Sequence, residues 1–340
     1  MEPAATGSGQ GLPGVKQTMV LDTSSDVPWV QCAPCPAPQC HPQADVLYDP
    51  TRSSSSAAFP CSSPTCRQLG PYANGCSSSQ QCQYRVQYPD GRSTTGTYIS
   101  DTLTLDPTSP ISKFQFGCSH AVQGRFSNET AGIMALGRGA QSLTAQTSST
   151  YGNAFSYCLP RTASQSGFFI LGVPRISSKR YVLTPMISIK QAPMLYLVRL
   201  QAIVVAGQTL SVPPVVFAPG SVMDSRTVIT RLPPTAYMAL RSAFRDRMRM
   251  YRMAPPKYQL DTCYDFRGVR SITLPKITLV FDHSAAVELD PSGILFSDCL
   301  AFAPNNDDRA LGVIGNVQLK TFEVLYNVGS NIMGFRGAAC

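Results

Sequence analysis

Residues 19–27 read MVLDTSSDV and residues 221–229 read SVMDSRTVI. In each, apolar residues run into an Asp, then a hydroxyl residue, one intervening position and a second hydroxyl residue. Asp22 and Asp224 stand 202 positions apart, about one domain length. A second echo pairs GIMALGRG (132–139) with GVIGNVQL (312–319), each opening on Gly and two apolar residues. One short V-x-D-[ST] string recurs by chance, and either echo alone is weak. Two echoes at matched offsets imply two similar lobes, each offering one Asp at a strand end.

The rest of the chain agrees with a two-lobed β protein. Its 340 residues suit two domains. With 25 Gly, 28 Pro and only 14% charged residues, a coiled coil or helix bundle is excluded. At 43% hydrophobic it has material for a core, which excludes disorder. No run approaches the length of a transmembrane helix. Short β-type runs bounded by turn residues dominate: 83–88, 97–105, 114–118, 196–206, 277–281 and 322–328. The chief helical pattern, 235–249, repeats Leu240, Phe244 and Met248 at spacing four, with Arg on the other faces. The expected fold class is all-β with few short helices. The link-like stretch 159–180 places a domain boundary near residue 178.

Twelve cysteines, seven of them between Cys32 and Cys82, indicate a disulfide framework in an oxidising compartment. Cys32, Cys35, Cys40 and His41 prompt a zinc reading, but only three histidines exist and the paired spacing of a finger is missing. No metal or other cofactor is expected. The sequon Asn128-Glu129-Thr130 marks Asn128 for glycosylation and agrees with secretion, extracellular or vacuolar. Residues 1–14 show no signal peptide, so the expectation of secretion rests on the cysteines. The net charge of +8 is densest between Arg241 and Lys257; without any RNA- or DNA-binding motif it reads as the solvated face of a helix, and no nucleic-acid partner is expected.

Two carboxylates a few ångströms apart cannot both ionise cheaply, so they share one proton over an acidic range. Such a pair can hold a water, the ionised member taking its proton while the protonated member polarises a scissile carbonyl. The neighbouring hydroxyls matter because a buried carboxylate needs its lone pairs satisfied. Thr23 and Ser225 are placed to bond across the lobe junction, and Ser25 and Thr227 to bond the outer carboxylate oxygens. A serine-hydrolase reading fails for want of G-x-S-x-G.

With VLDTSSDVPWVQC (20–32), the cysteine cluster to Cys82, YPDGRSTTGTYISDTLTL (88–105), GIMALGRG, VMDSRTVIT and VIGNVQLKTFEVLYNV, the chain resembles the pepsin-type aspartic proteases, specifically the nepenthesin-like plant group. The resemblance spans about residues 12–340. It implies a bilobal pepsin-like acid protease fold with an active-site cleft between the lobes. The N-terminal lobe would be 1–178, with a Cys-rich insertion (32–82) and a flap (84–105), and the C-terminal lobe 179–340. Asp22 and Asp224 would be the catalytic pair; Tyr88 would sit on the flap and receive a hydrogen bond from Trp29. The implied disulfides are Cys32–Cys35, Cys40–Cys118, Cys61–Cys82, Cys66–Cys76, Cys158–Cys340 and Cys263–Cys299. The implied partners are peptide or protein substrates, acted on by a monomer.

The motif Asp-Thr/Ser-Gly-Ser/Thr is broken twice, by Ser24 and Arg226 in place of Gly. Pro89 and Ala135 also replace usual glycines. Ser24 adds one small group, whereas Arg226 sets a long cation beside Asp224, against the need to keep one carboxylate protonated. The resulting expectation is an aspartic endopeptidase acting at acidic pH, impaired by these two residues. The alternative is a catalytically inactive pepsin-like binding or inhibitory protein.

Overall fold

Alternation of apolar and polar residues becomes strands that bury one face. In Cys82–Gln87, Cys82, Tyr84 and Val86 are buried while Arg85 and Gln87 face solvent. The computed structural model describes residues 14–36, 38–162, 164–174 and 181–340, with the backbone alone of residues 4–7. The chain forms two compact units, Met1–Thr150 and Tyr151–Cys340. Strands dominate both, and among the described residues the α-helices are four short ones.

The first unit is built on one large sheet. Its path runs Val15–Gln17, Ala4–Gly7, Ser93–Thr104, Ile111–Gln123, Trp29–Gln31, Gly132–Ala135 and Met19–Asp22. Cys82–Gln87 joins it as a hairpin with Ser93–Thr104. Trp29, Leu69, Tyr84, Tyr98 and Ile133 fill the core beneath. In the second unit, Leu197–Val198, Ser221–Met223, Gly312–Ile314, Thr230–Leu232 and Phe302–Pro304 form the sheet that carries the second echo. The helix Pro234–Arg247 buries Leu240 and Phe244, and Met248 caps it with its N–H on the Phe244 and Arg245 carbonyls. It therefore stops two residues short of the expected Arg249.

The units divide earlier than composition suggested. Ala154–Cys158 pairs antiparallel with Glu323–Asn327, so the chain joins the second unit's sheet soon after Thr150. Position 178 itself lies outside the described residues.

Every cysteine is paired, but four of the expected disulfides are corrected. Cys158–Cys340 and Cys263–Cys299 form as expected. Instead of Cys32–Cys35 and Cys40–Cys118, the bonds are Cys32–Cys118 and Cys35–Cys40. Cys32 extends Trp29–Gln31, which runs parallel to Ile111–Gln123, and its N–H bonds the Ser119 carbonyl, bringing Cys118 to a Cα distance of 5.4 Å. With Cys32 so committed, Cys35 closes a short loop onto Cys40. Instead of Cys61–Cys82 and Cys66–Cys76, the bonds are Cys61–Cys76 and Cys66–Cys82. Burial sorts these four: Cys66 and Cys82 lie in the core, while Cys76 is exposed and Cys61 half-buried. Each disulfide closes within one unit.

The last two pairs allow a clean test, since their sequence separations, 15 and 16, are nearly equal. The loop-closure contribution, about 3 kcal/mol for such a loop, is then the same for both. Cys66→Ala/Cys82→Ala also empties core volume, so it should lower the denaturation midpoint more than Cys61→Ala/Cys76→Ala. Equal losses by chemical denaturation would show that the burial difference has no energetic weight.

Candidate active site

In the first unit Met19–Asp22 lies parallel to Gly132–Ala135, with Met19 beside Gly132 and Asp22 beside Ala135. On its other side Gly132–Ala135 pairs antiparallel with Trp29–Gln31, and that approach needs glycine at 132: a Cβ there would stand 1.9 Å from the Trp29 carbonyl oxygen. Asp22 is buried at the strand end, and its carbonyl accepts from the Leu136 N–H at 2.8 Å. Its carboxylate Oδ1 accepts the Ser24 backbone N–H and the Ser24 hydroxyl, each at 2.9 Å.

The second unit repeats the arrangement. Ser221–Met223 lies parallel to Gly312–Ile314, and the Asp224 N–H donates to the Ile314 carbonyl at 3.2 Å. The Arg226 N–H donates to Asp224 Oδ1 at 2.9 Å, and Thr227 Oγ1 donates to Asp224 Oδ2 at 2.6 Å. The turn is braced by Asn316, whose N–H bonds the Thr227 carbonyl and whose side-chain amide bonds the Ser225 carbonyl at 3.0 Å. At Gly315 a Cβ would stand 2.7 Å from the Val228 carbonyl oxygen, so glycine is required again. The equivalent Ala135 of the first unit is accommodated, fully buried. Tyr157 and Tyr326 pack in the same unit with their hydroxyls 3.1 Å apart. Burial pushes both hydroxyls far up the pH scale, and the negative charge of Asp224 adds to it.

Thr227 thus bonds the carboxylate as its position implied. Ser25 does not: its hydroxyl is buried with no partner among the described residues. The Ser25 carbonyl is held by the Gly137 N–H, and Ser24, within the turn, supplies the hydroxyl instead. Thr23 is buried, and Ser225 and Arg226 are half-buried in the turn after Asp224.

The hairpin of Cys82–Gln87 and Ser93–Thr104 carries Tyr88 at its tip. The turn closes through the Tyr88 N–H to Arg92 carbonyl bond, with Gly91 at φ +85°. Trp29 Nε1 donates to Tyr88 Oη at 2.9 Å, as the resemblance implied. Two residues that no motif singled out complete the cluster. Phe126 meets Trp29 edge-on at 5.3 Å, and the Arg92 guanidinium covers Phe126 at 4.8 Å.

A further buried carboxylate, four residues after Asp22, also escaped the sequence reading. Asp26 accepts the Gly139 N–H at 2.8 Å and the Tyr72 hydroxyl at 3.0 Å. A Cβ on Gly137 or Gly139 would fall 2.4 Å from Asp26 atoms, so these glycines form the cradle. The run DTSSD contained the signal for Asp26; Tyr72 had none. Burial raises the Asp26 pKa, the Gly139 and Tyr72 hydrogen bonds partly offset this, and the Asp22 charge adds a smaller upward push.

Beside Thr227 the second unit has a depression of about 390 Å³ lined by Val228, Ile229, Tyr258, Leu260 and Phe296. It is suited to an apolar side chain. Asn128 is exposed. Among the described residues no helix is long and apolar enough to cross a membrane.

Asp26 gives a pH-dependent expectation. A carboxyl whose folded pKa lies above its unfolded value binds more protons when folded, so its contribution is largest at low pH and is lost as pH rises through the folded pKa. Asp26→Asn removes that loss while keeping an acceptor for Gly139. The variant's stability relative to the parent should therefore improve as pH rises from the ordinary carboxylate range towards neutrality. A flat difference in melting temperature across pH 3–7 would contradict the assignment.

Comparison with known proteins agrees with the duplicated architecture. Residues 6–173 match the family Xylanase inhibitor N-terminal and residues 195–337 match Xylanase inhibitor C-terminal. An Arabidopsis thaliana aspartyl protease family protein is 38% identical over 98% of this chain and 71% of its own length. Aspartic proteinase nepenthesin-2 of Nepenthes gracilis is 31% identical over 97% of this chain and 76% of its own. The crystal structure of basic 7S globulin from soybean shares the fold at TM-score 0.74 and 18% identity, covering 98% of this chain and 93% of that one.

Proposed function

Because the chain belongs to the pepsin-type aspartic protease family of plants, we propose that it is an aspartic endopeptidase acting at acidic pH, slowed by Arg226 and Ser24. One observation carries this reading. Asp22 and Asp224 end equivalent strands, and each holds its Oδ1 on the backbone N–H two residues on. The proposed chemistry requires two carboxylates that share one water and one proton. The ionised member takes a proton from the water, and the protonated member polarises the scissile carbonyl. On this reading Tyr88 would close over the peptide, and the depression beside Thr227 would receive an apolar side chain.

Arg226 is the chief impairment. It places a cation and bulk in the turn after Asp224, where the family motif has glycine. Ser24 is milder: Ser24→Gly removes one hydroxyl donor to Asp22 but leaves the backbone N–H bond in place. A second reading, a non-catalytic binding or inhibitory protein, is favoured by the match of both halves to families described as xylanase inhibitor.

Hydrolysis of a denatured protein at pH 3–5 separates the two. The unmodified chain should be slow and Asp22→Asn inactive. Arg226→Gly should raise kcat/KM more than Ser24→Gly, by a hundredfold if about 3 kcal/mol of transition-state stabilisation returns. Robust pepstatin-sensitive cleavage by the unmodified chain would refute the impairment. No cleavage after both glycine reversions would favour the binding protein.

We further propose a secreted or vacuolar, monomeric glycoprotein: the disulfides support the oxidising compartment, and the exposed sequon residue Asn128 supports the glycosylation. Expressed through a secretory pathway, the chain should lose a glycosidase-sensitive mobility shift on Asn128→Gln; an unchanged shift would exclude Asn128 as the site.

A further inference from the structure

The net positive charge is not spread over the molecule. Residues 1–150 hold eight Arg or Lys against nine Asp or Glu. Residues 231–270 alone hold nine cations against three acids. Part of that surplus borders a groove of about 540 Å³ in the second unit, where Arg252–Ala254 pairs with Cys263–Asp265. Its lining includes Arg252, Lys257, Arg267, Tyr264 and Phe266.

The cations are not equivalent. Arg267 forks onto Asp265, Nε to Oδ1 at 2.9 Å and Nη2 to Oδ2 at 2.6 Å. Lys257 bonds Asp298 at 3.1 Å. These pairs leave both groove carboxylates neutralised. Arg252 stands across from Asp265 in the ladder, is exposed, and has no ion pair among the described residues. Its charge acts on Asp265 only at longer range than an ion pair. Arg249 and Arg270, both exposed, flank the same segment in sequence.

A second observation is independent of charge. Tyr264 is 2% exposed, yet its hydroxyl has no hydrogen-bond partner among the described residues. A buried hydroxyl without a partner is costly, so a polar ligand group that reached it from the groove would recover a lost bond. The aromatic rings continue along the groove, Tyr264 5.9 Å from Phe266 and Phe266 5.3 Å from Tyr251.

We propose that this groove binds an acidic polysaccharide, a polyuronate chain whose carboxylates meet Arg252 and its neighbours and whose sugar faces rest on the aromatic wall. The partner's chemistry follows from the charge of the groove and the compartment its cysteines imply. Twelve paired cysteines belong to an oxidising compartment, where the extended polyanions are acidic glycans rather than nucleic acids. A concave groove with a recessed ring such as Tyr264 suits a single polymer chain better than a flat bilayer. Attraction of this kind acts at long range and is screened by salt.

The test uses the full chain and immobilised polygalacturonate, with neutral dextran as the blank. Binding should be clear at 50 mM NaCl and fall at least tenfold by 300 mM. Arg252→Glu should weaken it at least tenfold. Lys276→Glu, the same charge change at a cation paired with Glu288 outside the groove, should weaken it less than twofold. Tyr264→Phe, which deletes only the unpartnered hydroxyl, should weaken it severalfold while leaving the fold intact. Equal losses for Arg252→Glu and Lys276→Glu would overturn the proposal in favour of diffuse attraction. No binding by the parent chain, or tighter binding to RNA or to phosphatidylserine vesicles, would overturn it as well. None of these readouts depends on peptide hydrolysis.

Discussion

The architecture depends on the close approach of one backbone to another at glycines that cannot carry a side chain. Gly132 sits against the Trp29 carbonyl, and Gly315 against the Val228 carbonyl. These contacts let a short parallel strand pair end with an Asp whose next residues turn sharply away. The turn then aims a backbone N–H at the carboxylate, Ser24 in one unit and Arg226 in the other. A buried carboxylate is tolerable only when its lone pairs are satisfied. The glycines supply the geometry that satisfies them.

The two copies have diverged in what surrounds that shared turn. In the first unit Asp22 is buried, Ser24 adds a hydroxyl, and a second carboxyl, Asp26, fills the cradle made by Gly137 and Gly139. In the second unit Asp224 is half-buried, Thr227 bonds its other oxygen, and the neutral Asn316 braces the turn. The first environment stacks two carboxyls in one low-dielectric pocket. The second places one carboxyl beside a cation.

What was legible in the sequence follows from this. The paired echoes located both strand ends because each unit repeats an Asp and, later in the chain, a strand that opens on glycine and lies beside it. The Trp29–Tyr88 bond and the role of Thr227 were legible through motif resemblance. The disulfides were not, apart from Cys158–Cys340 and Cys263–Cys299. Cys118 joins Cys32 because two strands distant in sequence run side by side, and Cys66 joins Cys82 because both are buried. Register and burial of this kind leave no spacing signature. Ser25 misled for a similar reason: neighbouring hydroxyls in SS are indistinguishable until the turn decides which one faces the carboxylate.

Scaffold and chemistry are separable in this molecule. All six disulfides close within their own unit, so each strand-end Asp is held by covalent and glycine-dependent constraints local to its half. The substituted motif positions, 24 and 226, contribute their backbone N–H groups to those constraints regardless of side chain. A glycine can therefore become serine or arginine there without dismantling the turn, because the bond that matters comes from the main chain. What changes is the charge and volume next to the carboxylate. The fold tolerates such substitutions because its constraint at these positions comes from the main chain.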